Sequence, residues 1–235
     1  CRWVREGPMQ MQLDGPVLAP LSGGKTAHLV ILLHGVGANG NDLISLAHTW
    51  RTLLPDTEFI APNAPFPYDY TPEAKQWFSL ADRSPEKLLA GLREAAAILD
   101  RYFDALLASR RLGDAGLALA GFSQGAATAL YAGLRRQQQI AGIVAFSGAL
   151  PGAAGWQSDI RSKPPVLLVH GTADTVVPFQ SMTNAKAMLE AAGVPVTAAA
   201  RPGLSHAVDA AGVALAGDFL RGIQKAPQGG TGLAV

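Results

Sequence analysis

The chain has 235 residues, of which 49% are hydrophobic and 16% are charged, and its formal net charge is +1. This composition excludes an intrinsically disordered chain, because the apolar side chains are numerous enough to form a large buried core. The charged residues form no long run of one sign, so a surface for nucleic acid is not expected. The length fits one α/β domain or two small ones.

We find no sequence signal for a disulfide framework, a membrane span or a secretory leader. The only cysteine, Cys1, has no partner for an internal disulfide or a cysteine metal cluster. No stretch of about 18 apolar residues predicts a membrane helix, and residues 1–24 lack the apolar core of a signal peptide. We therefore expect a soluble, cytoplasmic protein with no integral membrane segment. A homo-oligomer is neither indicated nor excluded.

Apolar runs of strand length alternate with helical patterns along the chain. Continuous apolar runs, as in strands buried on both faces of a parallel sheet, lie at 28–33, 58–61, 116–120, 140–146, 166–169 and 196–200. Helical patterns lie at 42–54, 86–107, 124–137, 181–192 and 208–223. This alternation predicts an α/β fold, with a mostly parallel, doubly wound sheet flanked by helices.

The sequence predicts a single domain over residues 1–225, because no repeat and no low-complexity linker divides the chain. Residues 62–84 form a long irregular segment, and Ser84-Pro85 after it suits the N-cap and first position of a helix. Residues 226–235 are predicted to be a flexible C-terminal tail.

The segment Gly35-Val36-Gly37-Ala38-Asn39-Gly40 has the spacing G-x-G-x-x-G and follows a predicted strand. Such glycines bind a dinucleotide pyrophosphate when an acidic residue about 20 positions further on binds the ribose. Here the next predicted strand ends at Ala61, and the acidic residues Asp56 and Glu58 lie before it or at its start. The sequence therefore disfavours a dinucleotide site. A tight turn between strand and helix, with no ligand, is an alternative explanation of the glycines with about the same weight.

A second motif, Gly121-Phe122-Ser123-Gln124-Gly125, has the pattern G-x-S-x-G and lies between a predicted strand and a predicted helix. In this pattern, small residues permit a strained turn that exposes the serine hydroxyl at the carboxyl end of the strand. A serine in that position becomes a nucleophile when a base lies beside it. The alternative is that Ser123 only caps the helix.

Residues after Ser123 complete a candidate catalytic triad in the order Ser, Asp, His. His206 comes just after the strand predicted at 196–200, and Asp174 follows the strand at 166–169 by a short turn. The carboxyl ends of parallel strands meet at one edge of a sheet, where open α/β folds carry their sites. We therefore predict Ser123, Asp174 and His206 as catalytic residues.

The triad assignments have alternatives. His170 also ends an apolar strand, but the glycine after it favours a role in anchoring a turn. Asp159 lies ahead of that strand, at the opposite edge of the predicted sheet, and Glu190 falls within a helix. His206 could be an ordinary solvated loop residue, and Asp174 could be a turn-forming aspartate.

An oxyanion hole gives the first glycine motif a better role than nucleotide binding. In hydrolases with this triad, one N–H comes from the residue after the nucleophile and another from a loop after an early strand. Here these are the backbone N–H groups of Gln124 and Val36. Loss of one such donor typically costs about 2.7–4 kcal/mol of transition-state stabilisation.

Beyond the triad, short segments spread from about residue 29 to residue 222 match one known family. The chain resembles the carboxylesterase/phospholipase family of the α/β-hydrolases, which includes acyl-protein thioesterases and bacterial carboxylesterases. The matching segments are Leu33-His34-Gly35-Val36-Gly37, Pro62-Asn63-Ala64-Pro65, Trp77-Phe78, Gly121-Phe122-Ser123-Gln124-Gly125, Ser147-Gly148-Ala149-Leu150 and His170-Gly171-Thr172-Ala173-Asp174-Thr175-Val176-Val177-Pro178.

The resemblance implies an α/β-hydrolase fold without a separate cap domain. It also implies a serine hydrolase acting on carboxylic esters, often thioesters and sometimes lysophospholipids, with Ser123, Asp174 and His206 as its triad. Two positions depart from the family pattern. Ser79 stands where many relatives carry an acidic residue, and Leu204-Ser205 replaces the usual small residue or glycine before the histidine. These departures bear on substrate preference rather than on the chemistry.

Together these features predict a serine carboxylesterase that hydrolyses short- to medium-chain esters of small molecules or lipids through an acyl-enzyme. No metal and no cofactor are expected, because the sequence offers no HExxH motif and no clustered carboxylate site. The same triad also suits an acyl-protein or acyl-thioester thioesterase or a peptidase. A catalytically silent binding module and a nucleotide-binding oxidoreductase are the remaining alternatives, the latter the weakest.

Two aromatic or apolar segments are predicted to bind the acyl chain. Trp77 and Phe78 belong to the irregular segment 62–84, and the loop after Asp174 supplies further candidates. An ordered segment of that length in a compact domain is usually functional. The alternative is that Trp77 and Phe78 fill the core. The complete set of predicted substrate-binding residues is Trp77, Phe78, Val176, Val177 and Phe179.

Overall fold

The structure is a computed structural model that describes residues 13–225; Cys1 and the tail predicted at 226–235 lie outside the described residues. Its strands are β1 (Val17–Leu18), β2 (His28–Leu33), β3 (Thr57–Ile60), β4 (Phe66–Pro67), β5 (Lys75–Gln76), β6 (Leu117–Phe122), β7 (Gly142–Phe146), β8 (Val166–Gly171) and β9 (Val196–Arg201). Its helices are α1 (Gly40–Leu53), α2 (Pro85–Arg110), α3 (Gln124–Leu134), α4 (Gln180–Ala191) and α5 (Ala210–Lys225).

A seven-stranded sheet runs in the order β1-β3-β2-β6-β7-β8-β9. The pairing of β1 with β3 is antiparallel, and all the other pairings in this sheet are parallel. From β2 the chain first adds β3 on one side, and it later adds β6, β7, β8 and β9 on the other side. The direction of strand addition therefore changes between β2 and β6. In open α/β sheets, ligand sites lie at the carboxyl ends of the strands near such a point. The predicted mostly parallel sheet flanked by helices is confirmed.

Both faces of the sheet are covered by helices, as the apolar runs predicted. Along β2, Leu29, Ile31 and Leu33 face a core that they share with α2, α3 and α4. The alternate residues Val30 and Leu32 face a second core, shared with α1 and α5. Because successive side chains of a strand point to opposite faces, a strand buried on both faces reads as an unbroken apolar run.

The predicted strands and helices are all present, with ends that shift by no more than three residues. The helix predicted to end at Gln137 ends at Leu134, because the carbonyl of Leu134 accepts hydrogen bonds from Arg161 and Ser162. The strand predicted to end at Val169 continues to Gly171, since this extension pairs with β9. Both shifts arise from tertiary contacts that local sequence does not record.

Several short elements were not predicted. The edge strand β1 contains only two residues, and β4 pairs with β5 inside the segment predicted to be irregular. One-turn helices also lie at Asp114–Gly116 and Trp156–Asp159. Pieces this short show no periodicity, so only their partners identify them. Ser84 occupies the N-cap of α2 with Pro85 after it, but its side chain makes no capping hydrogen bond.

None of the helices within residues 13–225 combines the length and the apolar character that crossing a membrane requires.

Candidate active site

Ser123 lies in a sharp turn between β6 and α3. Its backbone adopts φ 54° and ψ −118°, a region that residues with a Cβ atom rarely occupy. A Cβ at Gly125 would collide with the carbonyl oxygen of Leu33, and one at Gly121 would collide with the carbonyl of Gly125. Gly125 is therefore required by the close approach of α3 to β2, and Gly121 by the close approach of α3 to β6. The turn raises Ser123 above the carboxyl end of the sheet.

The side chains of Ser123, His206 and Asp174 form one hydrogen-bonded chain. The Nε2 atom of His206 lies 3.0 Å from Ser123 Oγ, and its Nδ1 atom lies 2.7 Å from Asp174 Oδ2. An ionised carboxylate only accepts hydrogen bonds, so the proton of the neutral imidazole lies on Nδ1. Nε2 is then free to accept the hydroxyl proton of Ser123. The structure thus brings together the three residues predicted as catalytic.

Asp174 is buried yet held in its ionised form. Burial by itself raises the pKa of this carboxyl group, but hydrogen bonds from His206 and from two backbone N–H groups outweigh that effect. The N–H groups belong to Val177 and Val176, each 2.9 Å from Asp174 Oδ1. The pKa of Asp174 therefore lies below its ordinary value of 3.8. The backbone hydrogen bonds to Oδ1 fix the orientation of the carboxylate, so that Oδ2 faces the imidazole of His206.

The two acidic alternatives for the triad have partners of their own, whereas His170 also approaches Asp174. Asp159 accepts hydrogen bonds from the Tyr131 hydroxyl at 2.6 Å and from Arg93 at 2.9 Å. Glu190 pairs with Lys186 one turn earlier on α4. The buried His170 donates from Nε2 to the carbonyl oxygen of Val177 at 2.8 Å and thereby supports the turn after β8. The same Nε2 atom lies 3.3 Å from Asp174 Oδ2, so His170 adjoins the triad without taking the place of His206. Its predicted role as an anchor of a turn agrees with this geometry.

The backbone around Val36 and Gln124 adjoins Ser123. Gln124 is the first residue of α3, and the N–H groups at a helix start have no acceptor within the helix. Val36 follows Gly35, where a Cβ would lie 3.5 Å from the Cβ of Ser123. The next residue, Gly37, has φ 79° and donates its N–H to the carbonyl of Lys75 at 2.8 Å. The loop after β2 is therefore held against the nucleophile.

His34 holds this loop in place through three hydrogen bonds. Its Nε2 accepts from the N–H of Ala64 at 3.0 Å, which places the ring proton on Nδ1, 2.8 Å from the carbonyl of Gly35. Its own carbonyl accepts from the indole of Trp77 at 2.8 Å. Burial lowers the pKa of His34 below its ordinary value of 6.5, so the ring is neutral near pH 7. No local sequence pattern indicates this role of His34.

Acidification is expected to destabilise the fold through His34. Because its folded pKa is lowered, the unfolded chain binds the proton first, and stability falls as pH drops below about 6.5. One such proton contributes a slope of at most about 1.4 kcal/mol per pH unit. The free energy of unfolding, measured with urea at several pH values from 7.5 to 5, should fall less steeply with decreasing pH in His34→Gln than in the wild type. His48→Gln, at an exposed position, is the matched control and should keep the wild-type slope.

The side chain of Gln124 ties the aromatic segment to the start of α3. Its Oε1 accepts from the N–H of Trp77 at 2.9 Å, and its Nε2 donates to the carbonyl of Phe78 at 2.7 Å. Asp69 holds the other side of this segment, since its carboxylate accepts from Gln76, Ser79 and Leu80. The irregular segment is therefore ordered by buried amides and one carboxylate, none of which forms a sequence motif.

A cavity of about 160 Å³ opens beside Ser123, and we call it the serine cavity. Of the predicted substrate-binding residues, Phe78 and Val177 line it. Trp77 does not, because its ring is fully buried and its indole N–H is bound to His34. Val176 is 66% exposed to solvent, and Phe179 packs edge-on against His170. These three side chains therefore lie outside the cavity lining.

Further walls of the serine cavity come from α2 and from the loop after β7. Leu88 and Leu92 of α2 line it from one side, and Ala149, Leu150 and Pro151 from another. The leucines were recognised as part of the apolar stripe of a helix, but the stripe does not show which of its residues face a cavity.

Comparison with known proteins identifies the family. The family model described as Phospholipase/Carboxylesterase matches residues 21–224. The chain belongs to this family. It is also similar to the crystal structure of esterase PE8, with 40% sequence identity, a TM-score of 0.85 and coverage of 91% of this chain and 100% of that one. The confirmed architecture is thus that of an α/β-hydrolase fold.

Two curated relatives have lower sequence identity to this chain than esterase PE8 has. Acyl-protein thioesterase 1 of Emericella nidulans is 28% identical over 235 residues, covering 92% of this chain and 98% of that protein. Acyl-protein thioesterase 1 of Schizosaccharomyces pombe is 34% identical over 181 residues, covering 72% and 78%. The relatives of this chain are therefore esterases and acyl-protein thioesterases. The chain is a hydrolase of a family that acts on ester substrates.

Proposed function

We propose that this protein is a serine carboxylesterase that hydrolyses short- to medium-chain carboxylic esters through an acyl-enzyme. The observation that carries the proposal is the hydrogen-bonded chain from Ser123 through His206 to Asp174, located at the mouth of an apolar cavity. A nucleophile, a base and a group that orients the base are the parts that acyl transfer needs.

In the proposed reaction, Ser123 Oγ attacks the carbonyl carbon while Nε2 of His206 takes the hydroxyl proton. The carbonyl electron pair moves to its oxygen, and the resulting charge is bound by the N–H groups of Val36 and Gln124. When the tetrahedral intermediate collapses, the bond to the leaving oxygen breaks and His206 protonates the departing alcohol. Water then attacks the acyl-enzyme by the same route, which releases the acid and restores Ser123.

Thioesters are the second substrate class that an observation favours. The curated relatives are named acyl-protein thioesterases and align with most of this chain. The proposed steps are unchanged when sulfur replaces the leaving oxygen, because His206 then protonates a thiol. Peptide bonds and a catalytically silent binding role remain the alternatives that the test has to separate.

Labelling with a fluorophosphonate probe, followed by a substrate panel, tests this proposal. We expect the probe to modify Ser123, which intact-protein and peptide mass spectrometry would locate. A panel of p-nitrophenyl esters, matched alkyl thioesters and peptide p-nitroanilides should then give turnover with the esters. Failure of the probe to modify Ser123 in folded protein would reject the serine mechanism. Turnover of anilides alone would favour a peptidase.

The serine cavity predicts how the rate depends on acyl-chain length. Cavities of roughly 150 Å³ hold a molecule the size of benzene, and this cavity also opens to solvent. Each buried methylene contributes up to about 0.8 kcal/mol to transition-state binding. For p-nitrophenyl esters, kcat/KM should therefore rise from acetate to roughly C4–C8 and then fall.

Variants of the lining provide the control for this series. Phe78→Ala and Val177→Ala remove wall atoms, so the ratio of kcat/KM for octanoate to that for acetate should decrease. Phe179→Ala removes an aromatic ring of the same size that lies outside the lining, and it should preserve the ratio. A flat wild-type series, or long-chain triglyceride as the best substrate, would contradict an acyl role for this cavity.

A further inference from the structure

A second cavity, of about 310 Å³, lies beside His206, and we call it the histidine cavity. Its walls come from the loop after β2, from α1 and from the segment around His206, whereas the serine cavity is bounded by α2, α3 and the loop after β7. The two cavities share no lining residue, and they lie above opposite faces of the sheet. Ser123 lines the serine cavity and His206 lines the histidine cavity, and a hydrogen bond joins the two side chains.

The proposed reaction assigns different parts of the substrate to these two spaces. His206 receives the proton of Ser123 on Nε2 and must return it to the leaving atom, so that atom has to come within hydrogen-bond reach of Nε2. The group attached to the leaving atom then extends toward the cavity that the imidazole lines. The acyl chain is directed the other way, into the cavity lined by Ser123 and Gln124.

The lining of the histidine cavity is mainly apolar. Leu43, Leu46, Phe122 and Val208 are its large apolar lining residues, and the Phe122 ring lies 4.8 Å from the His206 ring. Among the residues described around this cavity, Asp42 is the one carboxylate, and neither lysine nor arginine is present. The Asp42 carboxylate is exposed and accepts one hydrogen bond from the N–H of Asn39 at 3.0 Å.

From this geometry we infer that the histidine cavity is the leaving-group subsite of the enzyme. It accepts an uncharged, apolar alcohol or thiol portion of several carbon atoms, and Asp42 disfavours leaving groups that carry negative charge. The volume is at the lower end of small-ligand pockets, which span roughly 300–1,000 Å³. This inference rests on the proposed function, because it needs His206 to protonate the leaving group.

A series of butyrate esters with different alcohols tests the apolar part of the inference. Methyl, butyl and hexyl butyrate form the same acyl-enzyme, so their kcat/KM values differ only through binding of the alcohol and acylation. The alcohols have similar basicity, so differences in intrinsic reactivity are small. Each buried methylene raises kcat/KM by at most about fourfold. From methyl to hexyl butyrate, which adds several methylenes, we expect kcat/KM to rise by about tenfold or more.

Leucines of one helix provide matched variants. Leu46→Ala should lower the hexyl-to-methyl ratio of kcat/KM by about fivefold or more, and Val208→Ala, in the segment after His206, should also lower it. Leu53→Ala, also in α1 but outside the lining, should keep the wild-type ratio. Phe78→Ala should change the ratio of kcat/KM between esters with different acyl chains, but it should leave the ratio between hexyl and methyl butyrate unchanged. Ratios within one variant are insensitive to the fraction of folded protein.

The charge of Asp42 is tested with butyrate esters whose alcohols carry different charges, and each ester is compared between the wild type and the variant. Choline butyrate, 3,3-dimethylbutyl butyrate and 3-sulfopropyl butyrate carry a positive, a neutral and a negative group, respectively. Asp42→Asn should raise kcat/KM for the anionic ester relative to the neutral one by about threefold at low salt, and less at high salt. Glu94→Gln, which removes an exposed carboxylate from α2, is the control and should leave this ratio unchanged.

The outcomes distinguish this inference from the proposed function. If butyrate esters are hydrolysed but the alcohol series is flat, or if Leu46→Ala and Val208→Ala keep the wild-type ratio, the leaving-group subsite is wrong and the esterase function stands. If no ester is hydrolysed and Ser123 resists the fluorophosphonate, both proposals fail. An unchanged anionic-to-neutral ratio in Asp42→Asn would overturn the role of that carboxylate.

Discussion

Ser123→Ala is expected to lower the rate of ester hydrolysis by about 10⁴-fold or more. Without the hydroxyl oxygen no acyl-enzyme forms, and only the oxyanion donors and substrate binding remain to assist water. The substitution should leave the fold intact, because alanine keeps the Cβ atom and can adopt the same φ of 54° under similar strain. The rate should be measured with p-nitrophenyl butyrate, and stability by thermal unfolding.

Controls separate loss of the nucleophile from loss of structure. Ser158→Ala changes an exposed serine in a one-turn helix away from the site and should retain full activity. Ser123→Ala should also abolish labelling by the fluorophosphonate. If purified, folded Ser123→Ala retained more than a trace of activity, the assignment of the nucleophile would be wrong.

Asp174→Asn is expected to lower the rate about 10⁴-fold near neutral pH. The amide has nearly the same shape as the carboxylate, but its NH₂ group can donate to Nδ1 of His206 and thereby favour the tautomer with the proton on Nε2. That tautomer cannot accept the proton of Ser123. The pKa of Asp174 lies below its ordinary value of 3.8, so the wild-type carboxylate is charged in mildly acidic solution. Its protonation therefore does not limit activity in mildly acidic solution.

Asp159→Asn is the matched control for this prediction. Asp159 contacts Arg93 and Tyr131 rather than His206, so its substitution should change the rate by less than about tenfold. The rates of both variants should be followed from pH 6 to pH 9, with folding checked by circular dichroism. A loss below tenfold in Asp174→Asn would show that another acid orients the imidazole.

Patterns that repeat along the chain made the fold predictable. Strands such as β2 are buried on both faces, and this burial leaves an unbroken apolar run that sequence records directly. The long helix α2 has an apolar stripe with a period close to 3.6, and Pro85 marks its start. The end of α3 was less predictable, because it depends on hydrogen bonds to Arg161 and Ser162.

The candidate triad could also be read from the sequence, since each of its residues follows a strand. Chain order and the rule that parallel strands end at one edge placed Ser123, Asp174 and His206 together before any contact was known. The distances of 3.0 Å and 2.7 Å between them come from the structure alone. The choice of Asp174 over Asp159 rested on the same edge rule, and the structure gives the two carboxylates different partners.

By itself, then, the sequence determined the features that depend on local periodicity and on the order of motifs. These are the α/β architecture, the turn at Ser123 and the candidate partners of that serine at the later strand ends. Only the tertiary structure decided which side chains form the cavity walls. Phe78 and Val177 reach the serine cavity, whereas Trp77 is turned into the core by its bond to His34. A cavity wall is built from residues far apart in the chain, and no local pattern encodes which of them face the same space.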